Sequence, residues 1–210
     1  MVRPRFAKLS PAQQQTIVRA AVEEFAAHGF HDGSLNRVIE AAGVSKGSMY
    51  YYFDGKEDLY AYVTRREFER LLDGVGPLRV PDHGDADDFW AAVERYYDDL
   101  MTAFAASPQL SALTRGWLAA SQNPALRTAQ QELEQTVMPW IERTLAAGQA
   151  VGAIRTDLPS GLLITVVVGM GRAMDMWLIA EGPDGDARRR MIHAFVRMLR
   201  GAVQPDPGRS

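Results

Sequence analysis

An all-α protein is what this sequence predicts: a small three-helix head followed by a larger helical body. Three observations lead there. Apolar residues recur at helical spacing along nearly the whole 210-residue chain. No stretch alternates in the two-residue strand period between hairpin turns. Near the N-terminus, two short capped segments flank a Gly-Val turn. With 47% hydrophobic residues the chain can bury a substantial core, and with no cysteine it does so without disulfides, a thiol nucleophile or a cysteine-bound metal.

Each element has its own signal. Ser10-Pro11 reads as an N-cap followed by proline at the first helical position. Ile17, Ala20, Ala21 and Phe25 then recur at helical spacing up to Gly29, which suits a C-terminal stop. Ser34 can cap a second helix, Leu-Asn-Arg-Val-Ile-Glu-Ala-Ala, whose Leu35, Val38, Ile39 and Ala42 share one face, and Gly43 ends it. Ser45 caps a third helix over 46–52, and Asp54-Gly55 breaks the chain before a fourth from Lys56 to about Leu72. The stretch 73–88, rich in Gly, Pro and Asp, is the predicted linker. Beyond it the pattern predicts helices over 87–106, 108–121, 124–150, 159–181 and 184–203.

The N-terminal stretch carries positive charge but no apolar run behind it, so it does not read as a secretory signal, and a cytoplasmic protein is expected. The greasy stretch at 160–181 is interrupted by Arg172 and Asp175, which favours a buried helix over a membrane span. Net charge is -3, yet it is unevenly placed. Residues 1–56 hold seven basic against five acidic side chains, leaving +2, and the remainder is at -5. A slightly positive head on an acidic body is what contact with phosphates would require.

Two short helices joined by a glycine-containing turn, the second capped by serine, form the helix-turn-helix pattern that lays its second helix in the DNA major groove. Small side chains at Gly47 and Ser48 permit close approach, and Met49 and Phe53 can face inward as core. Tyr50, Tyr51 and Tyr52 point in successive directions about 100° apart, so they cannot share one role. Tyr50 and Tyr51 suit hydroxyl donation to phosphate oxygens, whereas Tyr52 suits a half-buried position. A tyrosine run on a helix is more often an amphipathic boundary, so the surrounding register carries the weight.

The sequence His-Gly-Phe-His-Asp-Gly-Ser-Leu-Asn-Arg-Val-Ile-Glu-Ala-Ala-Gly-Val-Ser-Lys-Gly-Ser-Met-Tyr-Tyr-Tyr-Phe-Asp-Gly-Lys-Glu-Asp-Leu-Tyr, residues 28–60, resembles the DNA-binding head of the tetracycline-repressor (TetR/AcrR) family of bacterial regulators. The likeness is detailed over residues 10–60 and architectural beyond them. It implies a DNA-binding domain at 1–56 and a ligand-binding and dimerisation domain at 57–210. It also implies phosphate or base contacts from Ser34, Arg37, Ser45, Lys46, Gly47, Ser48, Tyr50, Tyr51 and Lys56. Asn36 and Lys46 are the side chains suited to base edges, Asn to adenine and Lys to guanine, and Lys56 opens a helix whose N-terminus could hold a phosphate. Two positions depart from the family pattern: Asn36 stands where a basic residue is frequent, and Ile39 where alanine is usual.

The resemblance further implies a homodimer on a palindromic operator, with no cofactor, that acts as a repressor and releases its operator when a small, largely apolar effector binds. The expected dimer face comprises Gly169 and Ala173 with Met191, Ala194, Phe195, Met198, Leu199 and Ala202. The expected effector site draws on Tyr97, Met101, Phe104, Arg115, Trp117, Met138, Trp140, Met170, Met174 and Trp177, although such residues are more often plain core. Arg115, Arg172 and Asp175 are its possible polar anchors.

Catalysis is not expected. His28, His31, His83 and His193 are scattered without metal-ligand spacing, and neither a nucleophile elbow nor a phosphate-binding glycine loop is present. The alternative is a helical ligand-binding or protein-docking module that does not bind DNA, which salt-dependent DNA binding would distinguish.

Overall fold

The computed structural model describes residues 4–80, 84–119 and 123–206; His83 of the linker lies outside the described residues. Most of them are helical, with no strand among them. In order come a 3-10 turn at Phe6–Lys8, then α1 (Pro11–Asp32), α2 (Leu35–Ala42), α3 (Lys46–Tyr52), α4 (Lys56–Val75), α5 (Ala86–Ala105), α6 (Pro108–Ala119), α7 (Pro124–Ala150), α8 (Ser160–Glu181) and α9 (Gly185–Val203).

Local chemistry sets the boundaries in the N-terminal part. Ser10 and Gln13 form a reciprocal capping box: the Ser10 hydroxyl accepts from the Gln13 N–H at 3.3 Å, and the Gln13 side chain accepts from the Ser10 N–H at 3.2 Å. Gly29, at φ 69° and ψ -175°, breaks the helical path inside α1, so the chain resumes for only one further turn to Asp32. Gly43 ends α2 in the left-handed region at φ 65°, where a side chain would be strained. Its N–H and that of Val44 return to the last turn of α2. The 3-10 turn at Phe6–Lys8 has no counterpart in the sequence expectation; its three residues are too few to show a period.

Two compact units divide the chain, and each has its own core. The first comprises the residues up to Leu71 with 106–133, so it extends past residue 56 to include most of α4, α6 and the start of α7. Phe25, Phe30, Met49, Phe53, Leu59, Tyr60, Leu113 and Leu126 are buried there. The Tyr60 ring stands edge-on to Phe25 at 5.0 Å and near Phe30 at 5.1 Å, and its hydroxyl donates to the Leu113 carbonyl at 2.7 Å. Gly116 makes that approach possible, because a Cβ there would lie 2.5 Å from the Tyr60 hydroxyl oxygen.

The second unit holds 72–105 and 134 onward, with α9 packed on α5 and α8 around Phe89, Leu163, Leu178, Ile192, Phe195, Val196, Leu199 and Val203. Burying a side chain of this size contributes roughly 1.5–3 kcal/mol against leaving it in water. The described helix 160–181 is also long and apolar enough to cross a membrane by length and composition, with mean hydropathy 1.7.

Candidate nucleic-acid interface

The helix-turn-helix occupies α2, the Gly43-Val44 turn and α3. Met49 and Phe53, one turn apart, are wholly buried and fix α3 on the head's core. That anchorage leaves Lys46, Gly47, Tyr50 and Tyr51 exposed, with Ser48 and Tyr52 half-buried. Tyr50 and Tyr51 are 43% and 47% exposed, unusual for residues of their size on a helix whose other face is core. Ser45 caps α3 by accepting from the Ser48 N–H at 3.0 Å, and the two hydroxyls lie 2.8 Å apart. Beside this helix, Asn36 stands exposed on α2.

Three predicted contacts have intramolecular partners. Ser34 caps α2, accepting from the Arg37 N–H, while its own N–H donates to Glu24 at 2.7 Å. The Arg37 guanidinium grips the Glu24 carboxylate through Nε and Nη2, the latter at 2.6 Å, and also donates to the Asp32 carbonyl. This charged hydrogen bond holds the Glu24 carboxyl below its ordinary range, against the opposing effect of its burial. Lys56 donates through Nζ to the carbonyls of His31 and Gly33 at 3.0 and 3.1 Å, over the ring of Phe30. Its ammonium therefore ties the end of α1 to the start of α4. The first turn of α4 already carries Glu57 and Asp58, and Asp58 accepts from the Asp54 N–H, so the dipole there is met by the chain's own carboxylates.

One structured segment escaped the sequence reading. Phe6 is 1% exposed, with its ring 4.9 Å from Phe53, 5.3 Å from Tyr62 and 5.9 Å from Tyr52. This plug brings the neighbouring Arg5 guanidinium 4.1 Å over the Tyr51 ring. A lone phenylalanine before a capped helix carries no periodic signal, and only its chemical type could have hinted at it.

The residues expected to line an effector site are divided between the two units. Trp117 fills the first unit's core beside Tyr60, and Arg115 is exposed. In the second unit, Met101 and Phe104 are buried, Tyr97, Met138, Trp140, Met170 and Met174 are half-buried, and Trp177 is 43% exposed. Of the polar candidates there, Arg172 is exposed, whereas Asp175 receives a hydrogen bond from the Tyr97 hydroxyl. Burial pushes the Asp175 carboxyl up to about 6, the phenol hydrogen bond working the other way, and the Tyr97 phenol is itself raised. An open groove of about 400 Å³ in the first unit, lined by Asp54, Glu57, Asp58, Tyr62 and Thr128 among others, involves none of these residues. Among the described residues no group of three or more His, Asp or Glu could hold a metal ion.

The expected dimer residues divide by face. Gly169, Ala173, Met191, Ala194, Met198 and Ala202 lie outward, joined by Leu162, Val166, Met176 and Trp177. Phe195 and Leu199 turn inward, 6% and 7% exposed in the second unit's own core, which corrects their expected place on that face. Positions 194 and 195, or 198 and 199, straddle the boundary of one apolar stripe, and spacing alone does not separate its two sides.

Comparison with known proteins agrees with this geometry. Residues 17–63 match the model of the bacterial regulatory proteins of the tetR family. The HTH-type transcriptional regulator RutR of Escherichia coli is 44% identical over 69 residues, which cover 33% of this chain and 31% of that protein. The matched stretch thus spans about a third of the length of such relatives. The HTH-type transcriptional repressor AcnR of Corynebacterium diphtheriae is 23% identical over 192 residues, covering 90% of this chain and 93% of its own. Among solved structures, the fatty acid degradation regulator FadR from Bacillus halodurans superposes with TM-score 0.69 at 20% identity, covering 90% of this chain and 99% of that one. FadR from Bacillus subtilis, solved in complex with stearoyl-CoA, gives 0.65 at 20% identity, covering 88% and 96%. Residues 17–63 therefore form a helix-turn-helix domain of the tetR family of bacterial regulatory proteins.

Proposed function

We propose that the protein is a cytoplasmic transcriptional repressor that binds a palindromic operator as a homodimer and leaves it when a small, largely apolar effector binds. Residues 1–56 serve DNA binding, and residues 57–210 serve ligand binding and dimerisation. One observation carries the reading. The short helix α3 is anchored by wholly buried Met49 and Phe53, while Lys46, Gly47, Tyr50 and Tyr51 stand in water on its other side. Two tyrosines nearly half exposed beside a lysine give that face the hydroxyls and the positive charge that a phosphate backbone would engage.

In this reading Lys46 and Asn36 reach base edges, and Tyr50, Tyr51, Ser45, Ser48 and the Gly47 backbone meet phosphates. Ser34, Arg37 and Lys56 flank the contact and hold α1, α2 and α4 in register through the bonds described above. The outward residues of α8 and α9 form the dimer contact, since an apolar stripe along two helices is unstable in water. The effector lies among Tyr97, Met101, Phe104, Met138, Trp140, Met170 and Met174, with Asp175 as polar neighbour. It acts by favouring a dimer whose heads no longer fit adjacent grooves, through unequal affinity for the two states. Helix α4, which starts in the head and runs on past Leu71, is the lever.

The test is selection of random duplexes on the purified protein, followed by titration of the winner against salt. A palindromic winner bound with a steep salt dependence is expected. A folded protein that enriches no duplex at low salt would refute the reading.

A further inference from the structure

We infer that Arg5, on the segment preceding the first helix, is a DNA-phosphate contact of this head, held in place by the Phe6 plug and the Tyr51 ring. The inference rests on the DNA-binding reading and adds a part to it that lies outside the helix-turn-helix.

Charge on the head points to Arg5 first. Arg37 is gripped by the Glu24 carboxylate, and Lys56 is engaged by two backbone carbonyls. Among the described residues no carboxylate pairs with Lys46 or Arg5, and both are exposed. Lys46 and Arg5 can therefore meet a phosphate without first giving up a carboxylate or carbonyl partner, as Arg37 and Lys56 would have to.

Position is the second argument. A charged side chain near a chain end is ordinarily too mobile to be a defined contact. Here the segment is pinned at both ends of the 3-10 turn. Phe6 is buried against Tyr52, Phe53 and Tyr62, and Gln14 Nε2 donates to the Leu9 carbonyl at 2.9 Å. Arg5 immediately precedes the plug, with its guanidinium over the ring of Tyr51, which is itself on the exposed side of α3. Stacking on a ring leaves the edge N–H groups of a guanidinium free to donate, the geometry in which arginine meets phosphate oxygens. An ammonium lacks that planar fork, so lysine would not replace it fully.

The experiment titrates wild type, Arg5→Ala, Arg5→Lys, Tyr51→Leu and the Arg5→Ala/Tyr51→Leu double variant. Each is measured on the selected duplex and on an unrelated one across a salt series, with thermal melts to check folding. Arg5→Ala should weaken binding to both duplexes alike, by about three- to tenfold, and lower the salt slope by about 0.9. Arg5→Lys should restore the slope but only part of the affinity, and the double variant should lose less than the product of the single losses. If wild type binds with a steep slope and Arg5→Ala matches it in affinity and slope, the inference fails while the DNA reading stands. A loss confined to the selected duplex would make Arg5 a base reader and overturn the phosphate assignment. If wild type itself shows no salt-dependent binding, the DNA reading fails and takes this inference with it.

Discussion

Two carboxylates of this chain respond to the fold in opposite directions, and both are open to titration. Glu24 is stabilised as an anion by Arg37 and the Ser34 N–H, so its folded pKa lies below the ordinary value. Its contribution is complete above that ordinary value and is lost as pH falls through the lowered one. Asp175 is the reverse, raised from 3.8 to about 6 by burial. The fold tolerates its neutral form better, so its contribution is fullest below pH ~4 and is lost, by on the order of 3 kcal/mol, as pH rises from there through about 6. Thermal melts across pH should therefore find Asp175→Asn more stable than wild type at pH 7.5 and little different at pH 4. Glu24→Gln should be destabilised by about 1–3 kcal/mol at pH 7.5, with the gap narrowing in acid. A pH-independent difference in either variant would contradict the assigned cause. Neither partnership was legible in the sequence. Tyr97 lies 78 residues from Asp175 and Arg37 lies 13 from Glu24 across a turn, and helical periodicity carries information over three or four positions only.

Elements were legible where their signals are local. Ser10 with Gln13, Ser34, Gly43 and Ser45 each act within four residues, and the helices they bound lie where those residues place them. The way helices dock was not legible, and Gly116 illustrates why. In sequence it is one glycine within a helical pattern, where it costs about 1 kcal/mol relative to alanine. In the fold it is the gap that admits the Tyr60 hydroxyl to the Leu113 carbonyl. Gly116→Ala should lose about 1–3 kcal/mol by overpacking, despite its gain in helix propensity. Tyr60→Phe alone should cost about 1 kcal/mol for the lost hydrogen bond. With the hydroxyl gone, the nearest ring atom is 3.6 Å from the added Cβ, ordinary contact distance. Denaturant unfolding of the double variant should then find most of the Gly116→Ala penalty abolished. Additive losses would mean that some contact other than the Tyr60 hydroxyl sets the constraint.

At the scale of the whole molecule, the outer stripe of α8 and α9 asks for a partner. Met198 is 65% exposed, Leu162 49% and Met176 46%, on helices whose opposite sides already fill the second unit's core. The sequence marked both helices as apolar and put Phe195 and Met198 on one expected dimer face, because the two look alike in a hydrophobic pattern; they lie on opposite sides of the boundary. If a second copy covers the stripe, wild type should sediment at twice the chain mass. Charges placed where water already reaches, as in Leu162→Glu/Met198→Glu, should give folded monomers, because neither residue contributes its full side chain to the unit's own packing. The consequence for DNA follows from linkage. Two heads joined in one dimer bind the second half-site as an intramolecular event, and separation forfeits that advantage, about 10²–10⁴-fold in affinity. The monomeric variant should therefore keep weak, salt-dependent binding to a single half-site and lose its preference for the palindrome. A double-glutamate variant that remains dimeric would place the interface elsewhere. One that is monomeric yet binds the palindrome as tightly as wild type would mean that each head reads DNA independently.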